Sequence, residues 1–167
     1  MIFLHTRNIA MSAMFIALIF LSIYFLSVPN GFGGVIHFGD SLIFVGATLL
    51  PFPYGLIVAA LGPGLFNLAR VPIWFPFTIV IKPIMAACFT SKGDKILGSY
   101  RNAIAPVLAA VINTGLYFGA NMLLFEGLPA GIAALPGLII QGTGSVLFFF
   151  IIAAALDACG VKKILSL

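Results

Sequence analysis

The chain has few residues able to do chemistry, and their spacing is selective. Of 167 residues, four are acidic and eight are Lys or Arg. In His37-Phe-Gly-Asp40-Ser41 an imidazole, a carboxylate and a hydroxyl open a run otherwise suited to lipid. Helical spacing sets positions 37, 40 and 41 on one face. Lys82 lies inside another apolar run, four residues after Thr78. Asn113, Tyr117 and Asn121 recur at i, i+4 and i+8 as a single polar stripe. Asn67 and Arg70 share a helix face, Trp74 is the sole tryptophan, and Gln141, Thr143 and Ser145 cluster in the last long apolar segment. A charged side chain in a membrane span costs at least ~2.5–3.5 kcal/mol, so it should face protein or water and serve a purpose.

These groups can hold a small polar molecule. Asp40 would accept hydrogen bonds or supply counter-charge, and Lys82 would donate or neutralise Asp40. Asn67, Asn113, Tyr117, Asn121 and Gln141 would orient a ligand, and Trp74 or Tyr117 would stack on a ring. His37 would sit near the mouth. The same groups do not read as an enzyme. No Ser/His or Asp/Asp pair lies at matched depth, and Gly142-Thr-Gly-Ser145 lacks the strand–turn–helix setting of a nucleophile elbow. There is no Walker A sequence, no His-Glu-x-x-His and no Cys/His cluster with metal spacing. No catalytic residue, metal or cofactor is expected.

The positioning elements follow from composition. Hydrophobic residues make up 62% and charged residues 7%, against about 25% charged in soluble domains. Lipid must therefore be the main solvent. A net charge of +4 without a basic stripe gives no reason to expect nucleic acid. Cys88 and Cys159 are far apart and read as buried free thiols. Arg7 precedes an apolar run longer than a signal core, with no cleavage motif after it, so the run reads as a retained helix.

The expected fold is an all-α membrane protein, a compact bundle of six transmembrane helices in one domain over 1–167. The helices fall at about 9–28, 37–50, 54–69, 75–90, 103–125 and 136–159, with Pro83 kinking the fourth. The second and third look short for a span. Residues 29–36 form a glycine-rich loop suited to a lid, and 126–135 a short loop containing Glu126. Six spans put both termini on one side with Arg7, Lys92, Lys95, Arg101, Lys162 and Lys163, against Arg70 opposite. The positive-inside bias makes that side cytoplasmic.

On this topology Asp40 lies roughly 5 Å inward of His37, and Lys82 roughly 12 Å below the outer start of its helix. Five helices deliver polar groups to the outer half, and the inner half is nearly featureless. An outward-opening polar cavity closed by apolar packing is the simplest geometry. Bland alternatives stay open. Asp40 and Lys82 could be a structural ion pair, the 113/117/121 stripe could bond neighbouring helices, and Trp74 could be an interfacial anchor. On helix 1, Ala10, Ala13 and Ala17 line one side; Ala13-x-x-x-Ala17 allows close approach by another helix, internal or from a partner.

Taken in order along the whole chain, these motifs resemble the substrate-binding S components of energy-coupling factor vitamin transporters. The residues carrying the resemblance are Ala13-x-x-x-Ala17, Gly34-Val-Ile-His-Phe-Gly-Asp40, Leu50-Pro-Phe-Pro-Tyr-Gly55, Trp74-x-Pro-x-Thr78-x-x-x-Lys82 and the polar start of helix 6. The glycine–histidine–aspartate and threonine–lysine elements look most like a branch whose substrate is uncharacterised. The resemblance implies a multi-pass protein of a bacterial or archaeal cell membrane that binds a vitamin or precursor from outside. It further implies docking on a transmembrane coupling protein carrying two ATPase subunits, with Ala13 and Ala17 at the contact. Relatives often have a stretch like Asp-Leu-Leu-x-Gly where helix 3 ends; Asn67-Leu-Ala-Arg70 stands here. A pyridoxine- or pyrimidine-type ligand is weakly favoured, since a ring with hydrogen-bonding groups suits the polar set. The alternatives are a ligand-free scaffolding protein and an autonomous facilitator.

Overall fold

Long apolar segments without interrupting charge make long helices. In the computed structural model, which describes residues 2–29, 35–125 and 127–165, three helices are long and apolar enough to cross a membrane by length and composition. They lie in α1 (Ile2–Phe25), α5 (Tyr100–Leu124) and α6 (Leu128–Ala158). Between them stand α2 (Gly39–Leu49), α3 (Tyr54–Arg70) and α4 (Phe75–Ala86), of 11, 17 and 12 residues. At 1.5 Å per residue α2 reaches only roughly 16 Å and α4 roughly 18 Å, about half a bilayer core.

A helix stands near each of the six expected positions, with shifted ends, and a short further helix follows the last. α1 starts before position 9, because His5, Thr6 and Arg7 continue the helix beyond the apolar run. It stops at Phe25, ahead of a two-residue strand β1 (Val28–Pro29) paired antiparallel with β2 (Val35–Ile36). The expected lid at 29–36 thus has its ends in this ribbon, while 30–34, like Glu126, lie outside the described residues. α2 begins after His37. A 3-10 turn, Pro72–Trp74, leads into α4, which ends four residues earlier than position 90.

The largest shift is in α6. Residues 128–135, read as loop, are helical, and Pro136 lies inside the helix. Proline marks a boundary in water, but neighbouring helices tolerate it within an apolar segment. Pro63 and Pro106 are likewise internal to α3 and α5, and Pro83 to α4. Gly160, at a positive φ of 66°, ends α6 and lets the short α7 (Val161–Leu165) turn away.

α5 packs along α6, α3 lies against both α1 and α4, and α2 is held among α1, α3 and α6. Gly62 makes one approach possible: a Cβ there would meet Ile19 Cγ2 at 2.8 Å. Ile19, Val58, Phe44 and Phe149 are fully buried. Phe44 stacks on Phe89 at 4.8 Å between ring centres, and Phe89 meets Phe149 edge-on at 5.4 Å. These phenylalanines follow Asp40, Lys82 and Ser145 by four to seven residues, Phe89 just beyond the end of α4, so each segment runs from polar to aromatic along the chain. The aromatic layer closes the bundle beneath the polar groups.

Candidate functional site

The site is assembled at the start of α2. His37 precedes the helix instead of lying in its first turn, and its Nδ1 accepts the Gly39 N–H at 3.1 Å. That bond satisfies a backbone donor that the helix itself leaves open. Gly39 is tight against α1, where a Cβ would come 2.7 Å from Ile23 Cγ1. Asp40 is thereby held at the bundle axis, 1% exposed.

Lys82 reaches Asp40 from α4 with Nζ 2.7 Å from Oδ1, and donates to Asn113 Oδ1 at 3.0 Å. Its ammonium also lies 5.2 Å from the centre of the Tyr117 ring. Gln141 of α6 donates from Nε2 to Asp40 Oδ2 at 3.4 Å. The Gln141 amide also grips the His37 backbone, accepting its N–H at 2.9 Å and donating to its carbonyl at 3.1 Å. A side chain here copies the pairing of a strand. Beside it, Ser41 Oγ donates to the Ser145 carbonyl at 3.0 Å, closing the seam between α2 and α6.

A second chain of bonds forms a wall. Asn67 Nδ2 donates to Thr78 Oγ1 at 2.6 Å, and Thr78 Oγ1 lies 2.7 Å from the Tyr117 hydroxyl. Trp74 packs on Tyr117 and Phe125 with ring centres 5.7 and 6.0 Å away. Asn121 Nδ2 donates to the Tyr117 carbonyl at 2.8 Å.

All nine residues expected to contact a ligand, His37, Asp40, Asn67, Trp74, Lys82, Asn113, Tyr117, Asn121 and Gln141, line one partly enclosed cavity of about 210 Å³. It lies toward the end of the bundle that carries the connections after α1, α3 and α5. Thr78 also lines it and is fully buried. Thr78 is not among the residues expected from sequence to contact a ligand; its spacing of four from Lys82 is the signal that points to it. Ala134, Gly137 and Leu138 join the lining because α6 starts earlier than expected. Arg70 is not in the lining; its guanidinium carbon stands 5.0 Å over the Tyr24 ring.

Ala13 and Ala17 lie away from the cavity, exposed on α1 together with Ala10. Met14 and Leu18 beside them are 51% and 44% exposed.

The opposite end of the bundle is less featureless than expected. Asn102, fully buried, accepts the Thr90 N–H at 2.8 Å and donates to the carbonyls of Thr90 and Ile96. Asp157 takes the Ile96 and Leu97 N–H groups at 2.6 and 2.9 Å. Lys162 Nζ donates to the Lys92 carbonyl at 3.2 Å. Burial pushes this ammonium below its ordinary range, while Asp157 and Asp94 oppose the shift. Together these groups replace the hydrogen bonds the 87–99 connection cannot make for itself.

Apolar helices long enough to cross a membrane, packed around a partly enclosed cavity that gathers buried polar side chains, mark a multi-pass membrane protein. Residues 3–158 match the family model described as "ECF-type riboflavin transporter, S component", and the chain belongs to that family. It is thus a substrate-binding component of a vitamin-type transporter working with an energy-coupling module, and its family is not an enzyme family. The match lends no support to the pyridoxine- or pyrimidine-type ligand favoured from sequence. No curated protein matches the chain.

Proposed function

We propose that this S component captures a flat, nitrogen-containing vitamin ring in the 210 Å³ cavity. The cavity faces the outside, and both termini face the cytoplasm. The Lys/Arg distribution supports this orientation, with Arg70 the sole Lys or Arg assigned to the connections at the cavity end. The carrying observation is that polar residues from His37 to Gln141, up to 104 positions apart, converge on one cavity that Trp74 also lines. Ring stacking on Trp74 and Tyr117 and hydrogen bonds from Asn67, Asn113 and Asn121 would hold the ligand. Loaded protein then docks through Ala13 and Ala17 on a transmembrane coupling protein served by two ATPases.

The family name makes riboflavin the first ligand to test. The cavity is smaller than the about 300–1,000 Å³ of drug-sized sites. A three-ring ligand therefore requires it to widen, and a one-ring vitamin does not. The test is a titration of the purified protein followed by its single tryptophan, Trp74, with riboflavin and then a panel of one-ring vitamins. Saturable quenching that is lost in Asn113→Ala supports capture at this site. A protein silent to the whole panel is a scaffold, consistent with bonds such as Asp40–Lys82 that close within the chain.

A further inference from the structure

Resting on that reading of the cavity, we infer that His37 is a positioning residue: its neutral imidazole fixes the start of α2, and with it Asp40, so that a proton on Nδ1 loosens both and weakens capture. The ring acts through the protein, and capture is acid-sensitive.

The bond directions around Nδ1 are set by groups that can only donate. The Gly39 N–H meets Nδ1 at 3.1 Å, and a backbone N–H has no other role. The His37 N–H likewise fixes the Gln141 amide. It lies 2.9 Å from Oε1, so Oε1 is the acceptor and the other end of the amide is the NH2 group. That Nε2 stands 3.1 Å from the His37 carbonyl and 3.4 Å from Nδ1. Two N–H groups therefore converge on one ring nitrogen, which must offer a lone pair. A neutral ring with its proton on Nε2 satisfies both. An imidazolium carries a proton on Nδ1 as well and sets N–H against N–H at both contacts.

The entry of α2 hangs on this nitrogen. His37 bonds the N–H two residues on, the pattern by which an Asn side chain closes an Asx turn. Phe38, at the N-cap, makes no side-chain bond to the helix, and the imidazole takes over the capping role. Gly39 has no room to shift, since a Cβ there would meet Ile23 Cγ1 at 2.7 Å and Nδ1 itself at 3.0 Å. Asp40 follows directly, and Gln141 Nε2 also reaches Asp40 Oδ2 at 3.4 Å. Turning either N–H away from a protonated ring therefore disturbs the carboxylate that holds Lys82 at 2.7 Å.

The sign of the pH dependence follows from the surroundings. Burial is the largest influence and keeps the imidazole, which stands ahead of α2, below its ordinary value; Lys82 of α4 acts in the same direction and Asp40 of α2 opposes it. The neutral ring is the bonded form. Capture is complete above the lowered value and is lost as pH falls through it.

The experiment measures riboflavin affinity of the full-length protein in detergent by Trp74 fluorescence, from about pH 7.5 to about pH 4.5. His37→Asn and His37→Ala are titrated beside wild type. Asn can accept the same N–H two residues on and does not titrate. Wild-type affinity should fall about tenfold or more across the range, in step with the shrinking neutral fraction. His37→Asn should keep the neutral-pH wild-type affinity throughout, and His37→Ala should be about fivefold weaker at every pH. An equal acid loss in His37→Asn assigns the titration to another group and overturns the inference. So does a wild type with constant affinity, or a His37→Ala that binds as wild type does. A second readout needs neither ligand nor variant: hydrogen exchange at the wild-type Gly39 and Leu42 amides, referred to amides of α5 at the same pH, should rise in acid. If riboflavin binds at no pH, riboflavin capture fails, and the exchange decides the role of His37 by itself. Exchange that rises supports positioning by the neutral ring; protection that persists overturns it.

Discussion

Lys82 Nζ stands 2.7 Å from Asp40 Oδ1, across 42 positions of sequence, with both side chains almost wholly buried. Removing one partner leaves the other charge buried and alone. Lys82→Met or Asp40→Asn should each cost about 3–5 kcal/mol, whereas Asp40→Asn with Lys82→Met should cost much less than the sum. Thermal melting of the three variants in detergent checks this. Additive losses would mean that the pair is not coupled.

Thr78 of α4 stands between Asn67 of α3 and Tyr117 of α5. It accepts from Asn67 and lies within hydrogen-bond distance of Tyr117. Thr78→Val keeps the shape and strands both partners, at about 1–3 kcal/mol. If Tyr117 is a donor to the ligand, the same variant weakens riboflavin or ring binding by about tenfold. Unchanged affinity with unchanged melting would show that the link is idle.

The alanine face of α1 is exposed, so bulk added there should leave the cavity intact. Ala13→Trp is expected to abolish uptake in cells while ligand titrations of the purified protein match wild type. Normal uptake would move the docking surface elsewhere.

Orientation can be read with thiols. Cys159 is exposed near the end of α6, on the side of the termini. A membrane-impermeant maleimide added to intact cells should miss Cys159 and reach it after permeabilisation. A cysteine replacing Arg70, also exposed, should react from outside. The opposite pattern would invert the topology.

Asp157 takes two backbone N–H groups of the 87–99 connection. Asp157→Ala leaves both without their acceptor and should lower stability by about 1–3 kcal/mol. Hydrogen exchange at Ile96 and Leu97 should rise together. Protection that persists would show that water replaces the carboxylate without loss.

Part of this was legible in the sequence because it is local. The 3.6-residue turn forces Asn113, Tyr117 and Asn121 onto one face whatever surrounds them, and they line one cavity. The cost of charge in lipid marks Asp40 and Lys82 as inward-facing without coordinates. Helix ends were less legible. His5 to Arg7 and residues 128–135 are helical because neighbours and helix propagation override composition, and Pro136 marks no boundary where adjacent helices support the backbone.

Sequence alone therefore determined which side chains share a face and which must avoid lipid, since both depend on short-range geometry and on the solvent. Only the tertiary structure decided their partners. The grip of Gln141 on the His37 backbone spans 104 positions, and Thr78 stands between Asn67 and Tyr117 because three helices pack at that height. Those choices depend on how ridges of different helices fit together, and small contacts such as Gly39 on Ile23 settle that fit.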